Sequence, residues 1–219
     1  MKFFKYIISG TVFCLSLSVQ ALTNSTSTKL NIFGVWLSAN ADCSSPVEVI
    51  NSVTSTEYNM NSNPTFGSKA IAAGTYKCLI LKMTDTVKFT PAATQGTCTL
   101  GVEATIDICK ASNSVNTSKD ALTGATISCL NTLGDVVYVY VSTNSHCADS
   151  IEAGCNGTPT FSNGFLPPTQ ADDFQRGVKL ASNMALTANA TGTFVFNTDN
   201  KVDGTGVSCN LEPPVMSVR

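Results

Sequence analysis

Apolar and polar residues alternate with the two-residue period of strands along much of this chain, and helix-period runs are scarce. Val136–Val141 (V-V-Y-V-Y-V) is β-branched or aromatic throughout and is the clearest strand. Leu30–Leu37 (L-N-I-F-G-V-W-L) is apolar on both faces, as a central strand is. Val47–Val53 follows a loop at Cys43. Thr75–Met83 leads through Asp85 into Val87-Lys88-Phe89, which reads as a neighbouring strand. Leu100–Ile108 puts Leu100, Val102, Ala104, Ile106 and Ile108 on one face, with Glu103, Thr105 and Asp107 on the other. Ala125–Leu130, Val178–Thr187, Thr193–Asn197 and Gly206–Leu211 complete the set, with a turn at Asn197–Lys201. Short strands separated by turn residues predict an all-β antiparallel sandwich. One short helix is expected over Ala171–Arg176, after the stop at Pro167-Pro168, with Thr169 as its cap and Asp172 near its positive end.

The start of the chain has a different pattern. Lys2 and Lys5 precede an apolar and small-residue stretch, Tyr6–Val19, that closes on Val19-Gln20-Ala21. This is the layout of an export signal cut after Ala21. The stretch is shorter than the roughly 20 residues a bilayer span needs. Thr11-Val12-Phe13 before Cys14 lacks the small residues of a lipoprotein site. The expected organisation is a cleaved signal at 1–21, a flexible polar lead at 22–29 and a single β-domain at 30–219. The product is exported to the periplasm, the outer surface or the medium, and no transmembrane segment follows Ala21.

Cysteine usage agrees with that compartment. Of nine cysteines, Cys14 lies in the signal. Cys43, Cys78, Cys98, Cys109, Cys129, Cys147, Cys155 and Cys209 remain, an even set that reads as disulfides in an exported chain. A strand between Cys98 and Cys109 holds them about 35 Å apart at about 3.3 Å per residue, beyond the reach of a bond. Cys109–Cys129 joins two neighbouring segments across a polar loop, and Cys147–Cys155 closes a short loop at Gly154. Cys43, Cys78, Cys98 and Cys209 then pair in one of three ways that spacing does not rank. Metal binding is disfavoured, because no C-x-x-C occurs and His146 is the one imidazole.

With 43% hydrophobic residues the chain builds a core, and with 13% charged residues its surface is unusually neutral. Ser, Thr and Asn fill the polar positions. A net charge of −2 and a pI near 5.3 exclude the basic stripe that nucleic-acid binding needs. Removing Lys2 and Lys5 from 13 basic side chains leaves 11 against 15 acidic ones, so export makes the chain more acidic.

Two stretches carry a resemblance. Ala73-Gly74-Thr75-Tyr76, then an alternating strand and Asp85-Thr86-Val87-Lys88-Phe89, resembles the corner of prealbumin-like bacterial β-sandwich modules. Gly192-Thr193-Phe194-Val195-Phe196 and Cys209-Asn210-Leu211-Glu212-Pro213-Pro214 are similar to the end of small exported Gram-negative proteins of unknown function. The resemblance implies antiparallel strands in a sandwich and implies no activity.

Candidate chemistry is sparse. His146 in Thr143-Asn144-Ser145-His146-Cys147 is the one imidazole base for a Ser or Cys nucleophile, and no G-x-S-x-G elbow accompanies it. Asp172 and Asp173, with Arg176, are read as a helix start with a surface ion pair; adjacent helix positions do not face one another. A glycosidase needs two carboxylates flanking a cleft, and the fifteen acids do not single out two. Asp199-Asn200-Lys201-Val202-Asp203-Gly204 has half the oxygen spacing of a calcium loop, but Lys201 occupies a ligand position, so a hairpin turn is expected. Tyr138 with Tyr140, and Phe194 with Phe196, share strand faces and are read as core or cross-strand partners before sugar-stacking platforms. Asn24, Asn116, Asn156 and Asn189 begin N-x-S/T triplets that are incidental in a bacterial product. The expectation is therefore a non-enzymatic envelope or surface protein without a cofactor. It acts as a binding or structural module towards a glycan or an envelope protein. The alternative is a secreted glycan or ester hydrolase built on scattered carboxylates or His146. The mature protein's cysteines are expected to resist alkylation until reductant is added, as read by mass spectrometry.

Overall fold

The computed structural model describes residues 22–65, 70–110, 117–130, 132–146, 164–187 and 194–218. The expected signal at 1–21, the Cys147–Cys155 pair, and Asn116, Asn156 and Asn189 lie outside the described residues. The fold is all-β, with fourteen strands among the described residues and a 3₁₀ turn at Met60–Ser62.

One strand organises the rest. β4 (Cys78–Pro91) has Leu79, Leu81, Met83, Asp85, Val87 and Phe89 in one alternating series, all buried. Each fully buried Leu or Phe of that series contributes about 1.5–3 kcal/mol. β1 (Ser25–Ser38) runs antiparallel along one edge of β4, from Ser25↔Pro91 to Ser38↔Cys78. The other edge is divided. β8 (Val136–Ser142) pairs with Cys78–Thr84, and β5 (Ala104–Asp107) pairs with Thr86–Phe89. β2 (Val47–Asn59) lies outside β1, and β9 (Val178–Lys179) adds a short parallel pairing to β8, an exception to the antiparallel rule.

Both faces of this sheet are covered in part. On one face, Leu81, Val139 and their row-mates pack against Tyr76, Met184, Phe196, Met216, Val202 and Leu211. Those residues come from three two-stranded sheets: β3 (Gly74–Tyr76) with β10 (Met184–Leu186), β11 (Phe194–Asn197) with β14 (Val215–Val218), and β12 (Val202–Asp203) with β13 (Asn210–Leu211). On the other face, Trp36, Ile80, Tyr138 and Tyr140 form a second cluster, with Ala121 and Ile127 packed against it. Ile127 comes from the hairpin of β6 (Thr117–Lys119) and β7 (Thr126–Ser128). Trp36 lies across Gly34, where a Cβ would come within 2.4 Å of the indole, so only glycine admits the ring.

Among the described residues, three disulfides close this arrangement: Cys43–Cys78, Cys98–Cys209 and Cys109–Cys129. The first two are one of the three arrangements that spacing left open. They enclose 35, 111 and 20 residues, for which loop-closure entropy gives about 3–5 kcal/mol each. Cys98–Cys209 joins the turn after β4 to the second layer. Beside it the backbones of Gly96 and Gly204 cross at close range, and Thr97 N–H donates to the Gly204 carbonyl at 3.0 Å.

Several local expectations need correction. The polar lead at 22–29 is mostly strand: β1 begins at Ser25, and Ser25 and Thr28 are buried with their hydroxyls 3.0 Å apart. Thr23 pairs with Val202, and the Asn24 side chain accepts the Asn200 N–H. Leu100–Ile108 is strand only from Ala104 to Asp107, because Gly101 turns the chain at φ +73° and leaves Leu100 and Val102 exposed. Asp85 does not break the strand; β4 passes straight through it. No helix forms over Ala171–Arg176. Asp172 sits at φ +52°, and the Asp173 carboxylate accepts from Thr169 N–H, Thr169 Oγ1 and Gln175 N–H, holding a turn in place of a helix. Val215–Val218, outside the expected strands, form β14 against β11.

The outer strand carries one irregularity. Ile32 faces Thr56 while Gly34 faces Asn51, so Ser52–Ser55 arch outward opposite Phe33, with Val53 97% exposed.

Gly204→Ala would place a Cβ 1.7 Å from the Gln95 carbonyl oxygen, backbone against backbone. A loss of about 3 kcal/mol, or about 6–12 °C in Tm, is expected by calorimetry. Gly101→Ala, with open space around its Cβ, should lose only about 1 kcal/mol from its left-handed backbone.

Candidate functional site

The fold brings together a group of carboxylates that the sequence pattern did not single out. β5 and β8 share one edge of β4, and the edge changes hands at Asp85. Its backbone serves both arms of this fork: Asp85 N–H donates to the Asp135 carbonyl at 2.8 Å, and Ile108 N–H donates to the Asp85 carbonyl at 2.9 Å. Its side chain is 0% exposed and belongs to the inward row between Met83 and Val87. Oδ1 accepts the Gly134 N–H at 2.9 Å. Asp107 closes β5, and its carboxylate accepts the Cys109 N–H at 3.1 Å. Asp135 leads into β8, and its carboxylate accepts the Leu130 N–H at 2.9 Å. Cys109–Cys129 ties the two arms together just beyond.

Burial pushes the Asp85 carboxyl up to about 6, the charges of Asp107 and Asp135 add to the rise, and the Gly134 N–H opposes it. Asp107 is also raised, chiefly by burial, against the pull of the Cys109 N–H and Lys110. Among the described residues, Asp85 Oδ2 finds no hydrogen-bond partner. The sequence signal was a lone acid in an otherwise apolar alternation, where a turn was read instead.

The sequence-predicted candidates are placed as follows. His146 stacks on Phe174 with ring centroids 4.1 Å apart, and its Nδ1 lies 3.7 Å from Asp172 Oδ1. Asp172 is 80% exposed by side chain, so this pair is a wet, weak contact. Ser145, next along the chain, is buried and donates its hydroxyl to the Arg176 carbonyl at 2.9 Å, which leaves it facing away from nucleophilic work. Asp173 is buried and satisfied by its own turn, so the two acids have separate structural roles, and the Arg176 side chain forms no ion pair with either. At 199–204 the chain turns through Asn200 at φ +54°. Asn197 Oδ1 accepts the Asp199 N–H and Asp203 Oδ1 accepts from Thr205, which are the bonds of turns. Among the described residues, no cluster of three His, Cys, Asp or Glu side chains is placed to hold a metal ion.

Tyr138 and Tyr140 are each 2% exposed, and so are not a stacking platform. Tyr138 donates to Asp120 Oδ2 at 3.0 Å and Tyr140 to the Lys119 carbonyl at 2.8 Å, fastening the β6–β7 hairpin to the sheet. Burial raises both phenols, and the Asp120 charge reinforces the effect. Burial works against the charge on Asp120, but the Thr123 and Leu122 N–H groups and the Tyr138 hydroxyl outweigh it, and its carboxyl is lowered. Phe196 is buried; the Phe194 side chain lies outside the described residues.

Comparison with protein-family models, curated proteins and solved structures returned no match. Among the described residues no helix is long and apolar enough to cross a membrane.

Tyr138→Phe deletes a hydrogen bond to a carboxylate and should cost about 2 kcal/mol in urea unfolding. His146→Ala, which removes a partly exposed ring contact, should stay within about 0.5 kcal/mol of the parent.

Proposed function

We propose that this chain is an exported, non-enzymatic envelope or surface protein that works as a binding or structural module. One observation carries the reading: the chemistry-bearing side chains that the fold gathers are turned onto the chain itself. Asp85 is sealed from solvent, Ser145 is committed to Arg176, Asp173 to its own turn, and Tyr138 and Tyr140 to the β6–β7 hairpin. Groups used in this way rigidify a surface and do not meet a substrate.

Three disulfides support an oxidising compartment, as does the signal-like start. The surface on offer is neutral. The long outer strand β2 is exposed along Asn51–Glu57 with Ser, Thr and Asn, and Leu100, Val102, Leu122, Leu130 and Leu133 stand exposed on turns. Such a surface favours short-range polar and apolar contacts over electrostatic steering. A glycan or an envelope protein is the partner class that fits it.

The mature protein should bind components in a glycan array or in cross-linking to purified envelope, and should turn over no substrate in a glycosidase and esterase panel. Turnover abolished by a single Asp, Glu or His substitution would overturn the proposal in favour of a hydrolase.

A further inference from the structure

β8 has the strongest tendency of any strand here to pair, and much of its outer edge has no strand beside it. Val136–Val141 (V-V-Y-V-Y-V) is β-branched or aromatic at every position, with no charge, glycine or proline. Segments of that composition recruit further strands where an edge is left free. On one side β8 pairs with β4 along Val136–Ser142. On the other side, among the described residues, β9 pairs only with Val141 and Ser142, where the Leu180 N–H donates to the Ser142 carbonyl at 2.9 Å. Towards Val136 the strand order gives β8 no further neighbour among the described residues.

What stands at that edge is Ser118 of β6. Its hydroxyl accepts the Tyr138 N–H at 2.9 Å and donates to the Tyr138 carbonyl at 3.0 Å. The N–H and C=O of one residue, both turned outward, are the pair of groups that a neighbouring antiparallel strand engages together. One hydroxyl, able to donate and accept at once, takes both. The position is otherwise suited to an apolar side chain. Ser118 is opposite Ile127 across the β6–β7 hairpin, Ile127 packs against the Trp36 cluster, and Ser118 is 0% exposed. An alanine there would fit the apolar surroundings but leave both Tyr138 groups without a partner. β6 and β7 form a sheet of their own, so the hydroxyl does here what a strand ladder does elsewhere.

We propose that Ser118 is an edge guard, whose hydroxyl keeps β8 from pairing with β8 of a second copy of this chain. With the hydroxyl gone, the Tyr138 N–H and C=O need a new partner, and another Val136–Val141 matches them in length and composition. Two such edges meet antiparallel about a two-fold axis and exchange backbone hydrogen bonds, which continues the sheet from one molecule into the next. The association closes at two copies, because β4 already holds the other edge of each β8.

The test is the oligomeric state of the disulfide-intact mature protein, read by sedimentation and light scattering. Ser118→Ala should raise the weight-average mass about twofold over wild type between about 1 and about 200 µM. Tyr138→Phe loosens the same hairpin by removing its bond to Asp120 but keeps the Ser118 hydroxyl, and it should track the wild type. Adding Val136→Lys to S118A puts a charge on the edge and should restore the wild-type mass. An S118A curve that overlays the wild type, a double variant that still associates, or a Tyr138→Phe protein that associates as strongly as S118A would each overturn the guard. Should S118A fail to fold, amide hydrogen exchange of the wild type decides. A Tyr138 amide as slow as those of Val137 and Val139 supports the guard, and one as fast as the amides of Ser52–Ser55 overturns it. None of these measurements involves a glycan or an envelope partner, so their outcome is separate from that of the binding proposal.

Discussion

The whole arrangement depends on β4 remaining dry on one side along its full length. Leu79, Leu81, Met83, Val87 and Phe89 are the surface on which both layers meet, and β1, β8 and β5 are positioned by hydrogen bonds to this one strand. A one-residue slip of β4 would turn that row to the opposite face and present Lys82, Thr84, Thr86 and Lys88 to the core. The buried row fixes the register, and the register fixes where the fork falls. The position of the acid junction is thus a consequence of core packing.

Cross-links and close backbone contacts act where burial alone is thin. The second layer consists of two-stranded sheets, each too small to persist unaided. Cys98–Cys209 and the Gly96–Gly204 crossing hold that layer near the end of β4. At the opposite end of β1, Cys43–Cys78 fastens the loop after the strand to the first residue of β4. A chain poor in charge has few ion pairs to draw on. Lys29–Glu103 and Lys88–Glu57 are partly exposed and contribute little.

Legibility in the sequence followed the strength of local pattern. Val136–Val141 was readable because every side chain in it favours a strand, whichever face is buried. Ser25–Thr28 was not, because its buried hydroxyls satisfy one another and look like a loop from sequence. β4 was split in two by Asp85, since a charged residue next to Thr is the usual mark of a turn; only the row on either side reveals it as an inward position. The turn at Thr169–Arg176 was mistaken for a helix because Asp and Thr serve both as helix caps and as turn formers, and here the Asp173 carboxylate gathers donors for the turn. Separation of Cys98 from Cys109 was deduced from a nine-residue strand that is really four residues; the bonds to Cys209 and Cys129 follow from layer packing, which spacing does not encode. The acid fork was hidden for a similar reason. Asp85, Asp107 and Asp135 are far apart in sequence and become neighbours only when β5 and β8 are seen to share one edge.

The outward arch at Ser52–Ser55 has a consequence for crowding. An outermost strand of thirteen residues with few charges and no proline invites another chain to dock alongside and extend the sheet from molecule to molecule. The arch interrupts the even ladder of donors and acceptors halfway along, so an incoming ribbon meets a hump where it needs a straight rail. A densely packed layer of these molecules can therefore stay a layer of individuals, without zipping into a fibre.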